Sequence, residues 1–354
     1  MASIPLVRVE RGREQESVHR GSVVVADAAG RILFAAGDPD LPLFLRSAAK
    51  PFQAVPLVES GAADRVGLTD PELAVVCGSH SGEPVHLDAV RSILSKAGVP
   101  ERALQCGVTP PLGAVQAAAL AAAGRAPEPI HNNCSGKHAG MLAACRVNGW
   151  PIETYREPDH PLQRQILDVV AAFCGAAPDR IALGIDGCGV PTFHGTVRRL
   201  AAAFARLADP SGLEPARGHA ARHLTRAMAA HPHMVAGTGR LDTILMSALG
   251  GRVFCKSGAE AGFGLGVPDR GWGMAVKIED GNARGMGAAV VEALRQTGLV
   301  DDAALGGLSA RHRPAVRDTR AVSPASCGRC SCWNRCPDCP PRPRSPTLRR
   351  SSKN

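Results

Sequence analysis

Residues 47–50 read Ser-Ala-Ala-Lys, and Pro51 follows at once. On a helix, positions i and i+3 share a face, so the Ser47 hydroxyl and the Lys50 amine can meet. A lysine desolvated enough to be neutral takes a hydroxyl proton and makes a nucleophile. The motif alone is common, and a surface helix start would read the same way. Pro51 has no N–H to give to the carbonyl of Ser47. The pair is therefore expected at the very start of a helix over 48–58, where the lost bond costs little.

Two further elements follow in chain order. Ser79 lies in the polar loop Gly78-Ser-His-Ser-Gly82, and Lys256-Ser257-Gly258 closes a strand-like run. Gly258 lets a substrate approach the strand edge closely. This last element resembles the K-[ST]-G of serine β-lactamases and penicillin-binding proteins, and Ser79 fits their middle serine. The order S-x-x-K, serine loop, K-S-G is that of the whole superfamily. Its implication is an α+β fold, an antiparallel sheet with a helical region.

A third cluster reads His131-Asn-Asn-Cys134-Ser-Gly-Lys137-His138-Ala-Gly140, and a second segment reads Asp186-Gly-Cys188-Gly-Val-Pro191. Two cysteines in glycine-rich loops could share a zinc with Lys137 or His138. They could equally be small buried residues, as lone cysteines usually are. Cys77, Cys106, Cys145, Cys174 and Cys255 stand in apolar or featureless contexts and take that reading.

The net charge of +9 invites a nucleic-acid partner, but the charge is local. Arg311 to Asn354 holds 11 basic and 2 acidic residues, and the rest of the chain balances at 30 of each. A neutral body gives no reason to expect a polyanion. Only six of the 41 basic residues are Lys: 50, 96, 137, 256, 277 and 353. Where lysine persists in an arginine-rich chain, a property arginine lacks is a candidate reason. Buried lysine can lose its proton and arginine cannot. No apolar run reaches membrane-spanning length. The start has no apolar leader core, so the cytoplasm is the expected location.

The remaining pattern is mixed. A hairpin is expected over 22–35 around the turn Asp27-Ala-Ala-Gly30. Helices are expected where Leu87, Val90, Leu94 and Ala97 share a face, around Leu162–Phe173, around Val197–Leu207, and from Met286 to Leu294. Ile181–Ile185 reads as a buried strand. Arg252–Lys256 and Gly273–Ile278 read as consecutive strands joined by a glycine-rich connection.

Near Ser309 the character changes to Arg, Pro, Ser and Cys. The spacing of Cys327, Cys330, Cys332, Cys336 and Cys339 looks like a zinc site. No apolar periodicity surrounds it, and a Pro-Arg run follows. The expected division is a catalytic domain over 1–308 and a tail over 309–354 that is disordered or frameshifted near residue 320.

Taken together, the 131–140 string, Ile185-Asp-Gly-Cys-Gly-Val-Pro, Val235-Ala-Gly-Thr-Gly-Arg and Lys256-Ser-Gly-Ala-Glu resemble the Rhizobium etli-type, thermolabile L-asparaginase family over roughly residues 5–300. The resemblance implies a serine β-lactamase-like fold, a homodimer, and hydrolysis of L-asparagine to aspartate and ammonia. It implies two Ser–Lys tandems, Ser47 with Lys50 and Ser79 with Lys256. It also implies one zinc on Cys134, Lys137 and Cys188, with Asp186 and His138 behind. The tail departs from the family. The expected chemistry is acyl transfer, with Ser47 attacking and backbone N–H groups holding the oxyanion. The alternatives are a glutaminase, another serine-type amidohydrolase such as a β-lactamase or DD-peptidase, and a metal- or redox-sensing binding protein.

Overall fold

A computed structural model of the chain describes residues 2–299, 302–316, 325–329 and 334–335. The chain opens with β1 (Ile4–Arg11), β2 (Glu14–Asp27) and β3 (Ile32–Ala36). Val23, Val24 and Val25 are all buried. Successive strand residues point to opposite faces, so β2 is covered on both sides.

β4 (Pro42–Phe44) leads through one 3-10 turn, Arg46–Ala49, into α1 (Lys50–Glu59). The helix thus starts at Lys50 with Pro51 in its first turn, as the missing N–H requires. The helical region continues with α2 (Ala62–Arg65), α3 (Asp70–Val76), α4 (Pro84–Lys96), α5 (Ala114–Ala122), α6 (Ser135–Asn148) and α7 (Pro161–Cys174). α6 crosses α3 at very close range. A Cβ on Gly136 would stand 2.5 Å from the Val75 carbonyl, and one on Gly140 2.7 Å from Val76 Cγ1. Only glycine permits that approach, and it fixes where the first turn of α6 sits.

β5 (Leu183–Ile185) and β6 (Pro191–Thr196) join β4 in a small sheet of order β4-β6-β5. Here the expected buried strand is corrected: Leu183 is 41% and Ile185 84% exposed. β5 is the outer strand of this sheet. An apolar run cannot tell an outer strand from a covered one.

Next come α8 (Val197–Ala208), α9 (Pro215–Ala230), α10 (Pro232–Val235) and α11 (Leu241–Ala248). Then β7 (Phe254–Ser257), β8 (Gly262–Val267) and β9 (Trp272–Ile278) form antiparallel pairs. The expected glycine-rich connection is thereby corrected, because its middle is a fully buried strand, β8. Glycines of β8 and β9 serve packing. A Cβ on Gly264 would overlap the Phe204 ring, and one on Gly273 would overlap the α8 backbone at Ala201 and Ala205. α8 therefore lies directly on a sheet surface cleared of side chains.

α12 (Met286–Gln296), α13 (Asp302–His312), β10 (Ala315–Val316), β11 (Ala325–Arg329) and β12 (Asn334–Arg335) complete the described chain. The large sheet runs β10-β11-β1-β2-β9-β8-β7, with β3 on β2 and β12 on β3. Its pairs are antiparallel. This is the α+β architecture expected, sheet plus helical region.

The expected boundary at residue 309 falls inside α13. Cys327 lies in β11 opposite Val9, whereas Cys330, Cys332, Cys336 and Cys339 lie outside the described residues. No described helix is long and apolar enough to cross a membrane.

Candidate active site

Lys50 is the meeting point. Its side chain is buried, and Nζ donates to Gly78 O at 2.6 Å, to Ser79 Oγ at 2.9 Å and to Asn133 O at 3.4 Å. Three segments thus converge: the start of α1, the loop after α3, and the approach to α6. Gly78 makes this possible. A Cβ there would lie 2.7 Å from Val235 O and 2.9 Å from Met234 O. Ser79 N–H donates to Val235 O at 2.8 Å, which fixes the loop. Burial pushes the Lys50 pKa down, the Cys134 and Cys188 charges oppose that push, and Lys137 adds to it.

This geometry re-pairs the expected tandems. Among the described residues, no side-chain hydrogen bond joins Ser47 to Lys50 or Ser79 to Lys256. Lys50 engages Ser79 instead. Ser47, half-buried in the 3-10 turn, receives only the Lys50 backbone N–H at its carbonyl. The K-S-G strand end lies against this turn, since a Cβ on Gly258 would stand 3.0 Å from Leu45 O and 3.3 Å from Ala48 N.

Lys256 is also fully buried. Its Nζ donates to Ser257 O at 2.7 Å and lies 3.8 Å from Asp242 Oδ1. Burial lowers its pKa to about 8; Asp242 resists the fall, while Lys50 and Arg240 favour it. Such a value suits proton transfer near neutral pH.

Cys134, Lys137 and Cys188 lie together in the fold. Cys134 directly precedes α6, and Asn132 Oδ1 accepts its N–H at 2.9 Å. Lys137 Nζ donates to Cys188 Sγ at 3.0 Å. The neighbouring Cys188 holds the Cys134 pKa well below its ordinary value against burial, helped by Lys50 and Lys137. Burial would lower Lys137, but Cys188, Cys134 and Asp186 outweigh it and raise its pKa. The cluster therefore gathers two sulfur groups and an amine in one buried place.

No group of three or more His, Cys, Asp or Glu among the described residues is placed to hold a metal. A set of two cysteines and a lysine is a different case. Its three donors converge, and two are soft sulfur, so the chemistry fits zinc once Lys137 gives up its proton.

Asp186 reaches this cluster through charge and pairs with Arg46, Nε to Oδ1 at 2.7 Å. Arg46 is a non-glycine residue in left-handed backbone, φ 48°. Strain of that kind, held by surrounding structure, gathers at functional sites. His138 faces elsewhere: its Nδ1 meets Tyr155 OH at 2.6 Å, and its buried Nε2 has no partner among the described residues. Burial, Lys137 and Lys50 keep its pKa well below the ordinary histidine range. The sequence reading missed Arg46, Asn133, Tyr155 and Asp242. Arg46 carried a usable signal, since it adjoins Ser47. Asp242 follows the Val235–Arg240 motif, but nothing in its neighbours marks it.

None of the curated proteins matches the sequence. Among solved structures the chain is similar to Mglu in its native form, at 16% identity and TM-score 0.42, with 81% of this chain covering 66% of that one. It is similar to a β-lactamase from Mycobacterium bovis, at 16% identity and TM-score 0.41, with 78% of this chain covering 94% of that one. A mutant simvastatin synthase from Aspergillus terreus matches at 14% identity and TM-score 0.35, with 78% of this chain covering 93% of that one. The profile of the L-asparaginase II family matches residues 7–327. Every residue of the Lys50, Lys256 and Cys134 clusters lies inside that span, and the chain belongs to the L-asparaginase II family of amidohydrolases.

Proposed function

We propose that the chain hydrolyses L-asparagine to L-aspartate and ammonia by acyl transfer, with Lys50 as base and Ser79 as nucleophile. One observation carries the assignment: Lys50 Nζ has Gly78 O, Asn133 O and Ser79 Oγ around it. A neutral amine has two protons and one lone pair. Two carbonyls take the protons, so the lone pair faces the Ser79 hydroxyl. Ser79 Oγ then bonds to the side-chain amide carbon as its proton passes to Lys50. The carbon–nitrogen bond breaks, and ammonia leaves with that proton. Water attacks the aspartyl ester as Lys50 takes its proton, the ester bond breaks, and Lys50 returns that proton to Ser79 Oγ. The N–H groups of Ser79 and His80 already donate to Val235 O and Asn133 O, so other donors must meet the oxyanion.

A second reading makes Ser47 the acylated residue, with Ser79 passing its proton to Lys50. What favours it is the partial exposure of Ser47 and its place beside the K-S-G strand end. Rapid acid quench with asparagine, followed by peptide mass mapping, decides between them. An aspartyl ester on Ser79 supports the first reading and one on Ser47 the second. Absence of ammonia release from asparagine sinks both.

The same reading places one zinc on Cys134, Lys137 and Cys188. When bound, zinc would supply a fixed positive charge beside the Ser79–Lys50 pair. Without it, the Lys137 ammonium supplies that charge. A homodimer is supported by α5, Ala-Val-Gln-Ala-Ala-Ala-Leu-Ala-Ala, which has no buried residue. With exposed Val108, Leu112 and Val115 it makes an uncharged apolar face. A cytoplasmic site is supported by Cys77, Cys106, Cys134, Cys145, Cys174, Cys188 and Cys255, all free and buried, as suits a reducing compartment.

A further inference from the structure

The K-S-G strand end is held by a carboxylate that no motif announces. Asp242 lies in the first turn of α11, where an acidic residue usually serves exposed backbone N–H groups. Here it is completely buried and turned across to β7. Oδ1 accepts the Ser257 N–H at 2.5 Å, and Oδ2 accepts the Ser257 hydroxyl at 2.7 Å. Oδ1 also stands 3.8 Å from Lys256 Nζ. The Cys255 thiol reaches the Asp242 backbone carbonyl at 3.7 Å. One residue thus touches three successive positions of the strand that carries Lys256.

Burying a carboxylate is costly unless it is paired and hydrogen-bonded. A helix cap would not need that cost, because an exposed side chain does the same work. The fixed partner of all these contacts is the strand end, and the group held there is the amine.

We propose that Asp242 is a positioning residue for the amidohydrolase reaction, fixing the Lys256 amine and the Ser257 hydroxyl at the strand end from behind. The proposal rests on the reading above in which the Ser–Lys cluster hydrolyses asparagine. The charged and titratable groups facing Lys256 are Asp242 on α11, Arg240 just before it, Lys50 on α1, Cys77 at the end of α3 and Cys255 on β7. Asp242 is the carboxylate among them. It holds the Lys256 midpoint up, against burial, Lys50 and Arg240. Removing its charge must therefore lower that midpoint.

The test uses full-length protein carrying 13C-labelled lysine; with six lysines, the ε-carbon signals are few enough to assign by mutation. Lys256 is titrated by NMR in wild type and in Asp242→Asn, and kcat/KM for asparagine is measured over the same pH range. The expected result is a fall of about one unit or more in the Lys256 midpoint, the size of effect an adjacent opposite charge exerts. The limb of the pH–rate profile that Lys256→Met removes should move in the same direction. An Asn variant that folds but leaves the midpoint in place would overturn the proposal.

If the Asn variant does not fold, Asp242→Glu carries the test. A longer side chain cannot keep both Ser257 bonds in place. The midpoint should then move, and kcat should fall about 10-fold or more with KM within about twofold, as misplacement of a reacting group predicts. Unchanged midpoint and kcat would again overturn it. Should wild type release no ammonia from asparagine, the functional reading fails, while the NMR titration still decides whether Asp242 sets the amine.

Discussion

Nζ of Lys50 stands 2.9 Å from Oγ of Ser79, 29 residues further along the chain. The serine three residues before Lys50 takes its backbone N–H, but makes no hydrogen bond to its amine. A local sequence motif is thus satisfied through a long-range contact, made where α1, the loop after α3 and the approach to α6 meet.

Lys50→Arg should therefore abolish turnover while leaving the fold intact. Arginine keeps the charge and can still donate to Gly78 O and Asn133 O, but it cannot deprotonate. The loss should exceed about 100-fold, the contribution of a general acid–base group. Ammonia release by the variant is compared with wild type, with folding checked by circular dichroism. Activity within a few-fold of wild type would leave Lys50 as a purely structural ammonium.

Cys188→Ala should remove zinc. Lys137 and Cys134 remain, but two donors cannot hold the ion as three do. Zinc affinity should drop by more than the ~10–100-fold that follows loss of a supporting group behind a ligand. Elemental analysis of wild type and variant after identical zinc loading reads the difference. Equal metal content would place the ion elsewhere.

Acid should unfold the protein partly through Glu292. Burial alone would raise its pKa, but Arg295, Gln296 and His312 outweigh that and hold it at about 2, against 4.5 for the free side chain. A depressed folded pKa gives stability that is fully present above the unfolded value. It is lost as pH falls from about 4.5 through about 2. Glu292→Gln should remove on the order of 2 kcal/mol at neutral pH, and flatten the pH dependence in that window. Denaturant melts at pH 7, 4 and 3 measure both effects. A constant gap between wild type and variant across this range would contradict the assignment.

Gly264→Ala should destabilise the fold without touching the site. The added methyl enters the Phe204 ring. Overpacking of this kind costs roughly 1–3 kcal/mol or more, so the thermal midpoint should fall by several degrees. Unchanged melting would mean that α8 does not press on β8.

Val115→Asp should convert a dimer to a monomer. Val115 is 75% exposed on the uncharged α5 face. A carboxylate on each copy would be buried unpaired, and like charges would oppose each other. Light scattering of wild type and variant reads the mass directly. A variant that remains dimeric would move the interface off α5.

Much of this was legible in the sequence where one local rule decided the outcome. The missing N–H of Pro51 placed Lys50 at a helix start, and the Asp27–Gly30 turn closed its hairpin. The Cys134–Lys137–Cys188 meeting was carried by family resemblance, not by spacing. The failures share a physical cause. β8 was taken for a connection because its glycines looked like loop residues, and the helix that needs them lies some sixty residues away in the chain. β5 was taken as buried because an apolar run does not reveal its neighbours. The contact of Lys50 with Ser79 was not foreseen because i, i+3 proximity is only permission to meet, and the acceptors of this amine come from elsewhere in the chain. Asp242 was silent because a lone acid at a helix start looks the same whether it faces water or the core.

Four of the six lysines, at 50, 137, 256 and 277, are buried. Amine-reactive labels should therefore leave these four unmarked on the native protein and modify them only when the molecule opens. Their acylation rate is then a clock for opening. Because Lys50, Lys137 and Lys256 come from α1, α6 and β7, peptide-resolved labelling would show whether these parts come apart together or in sequence.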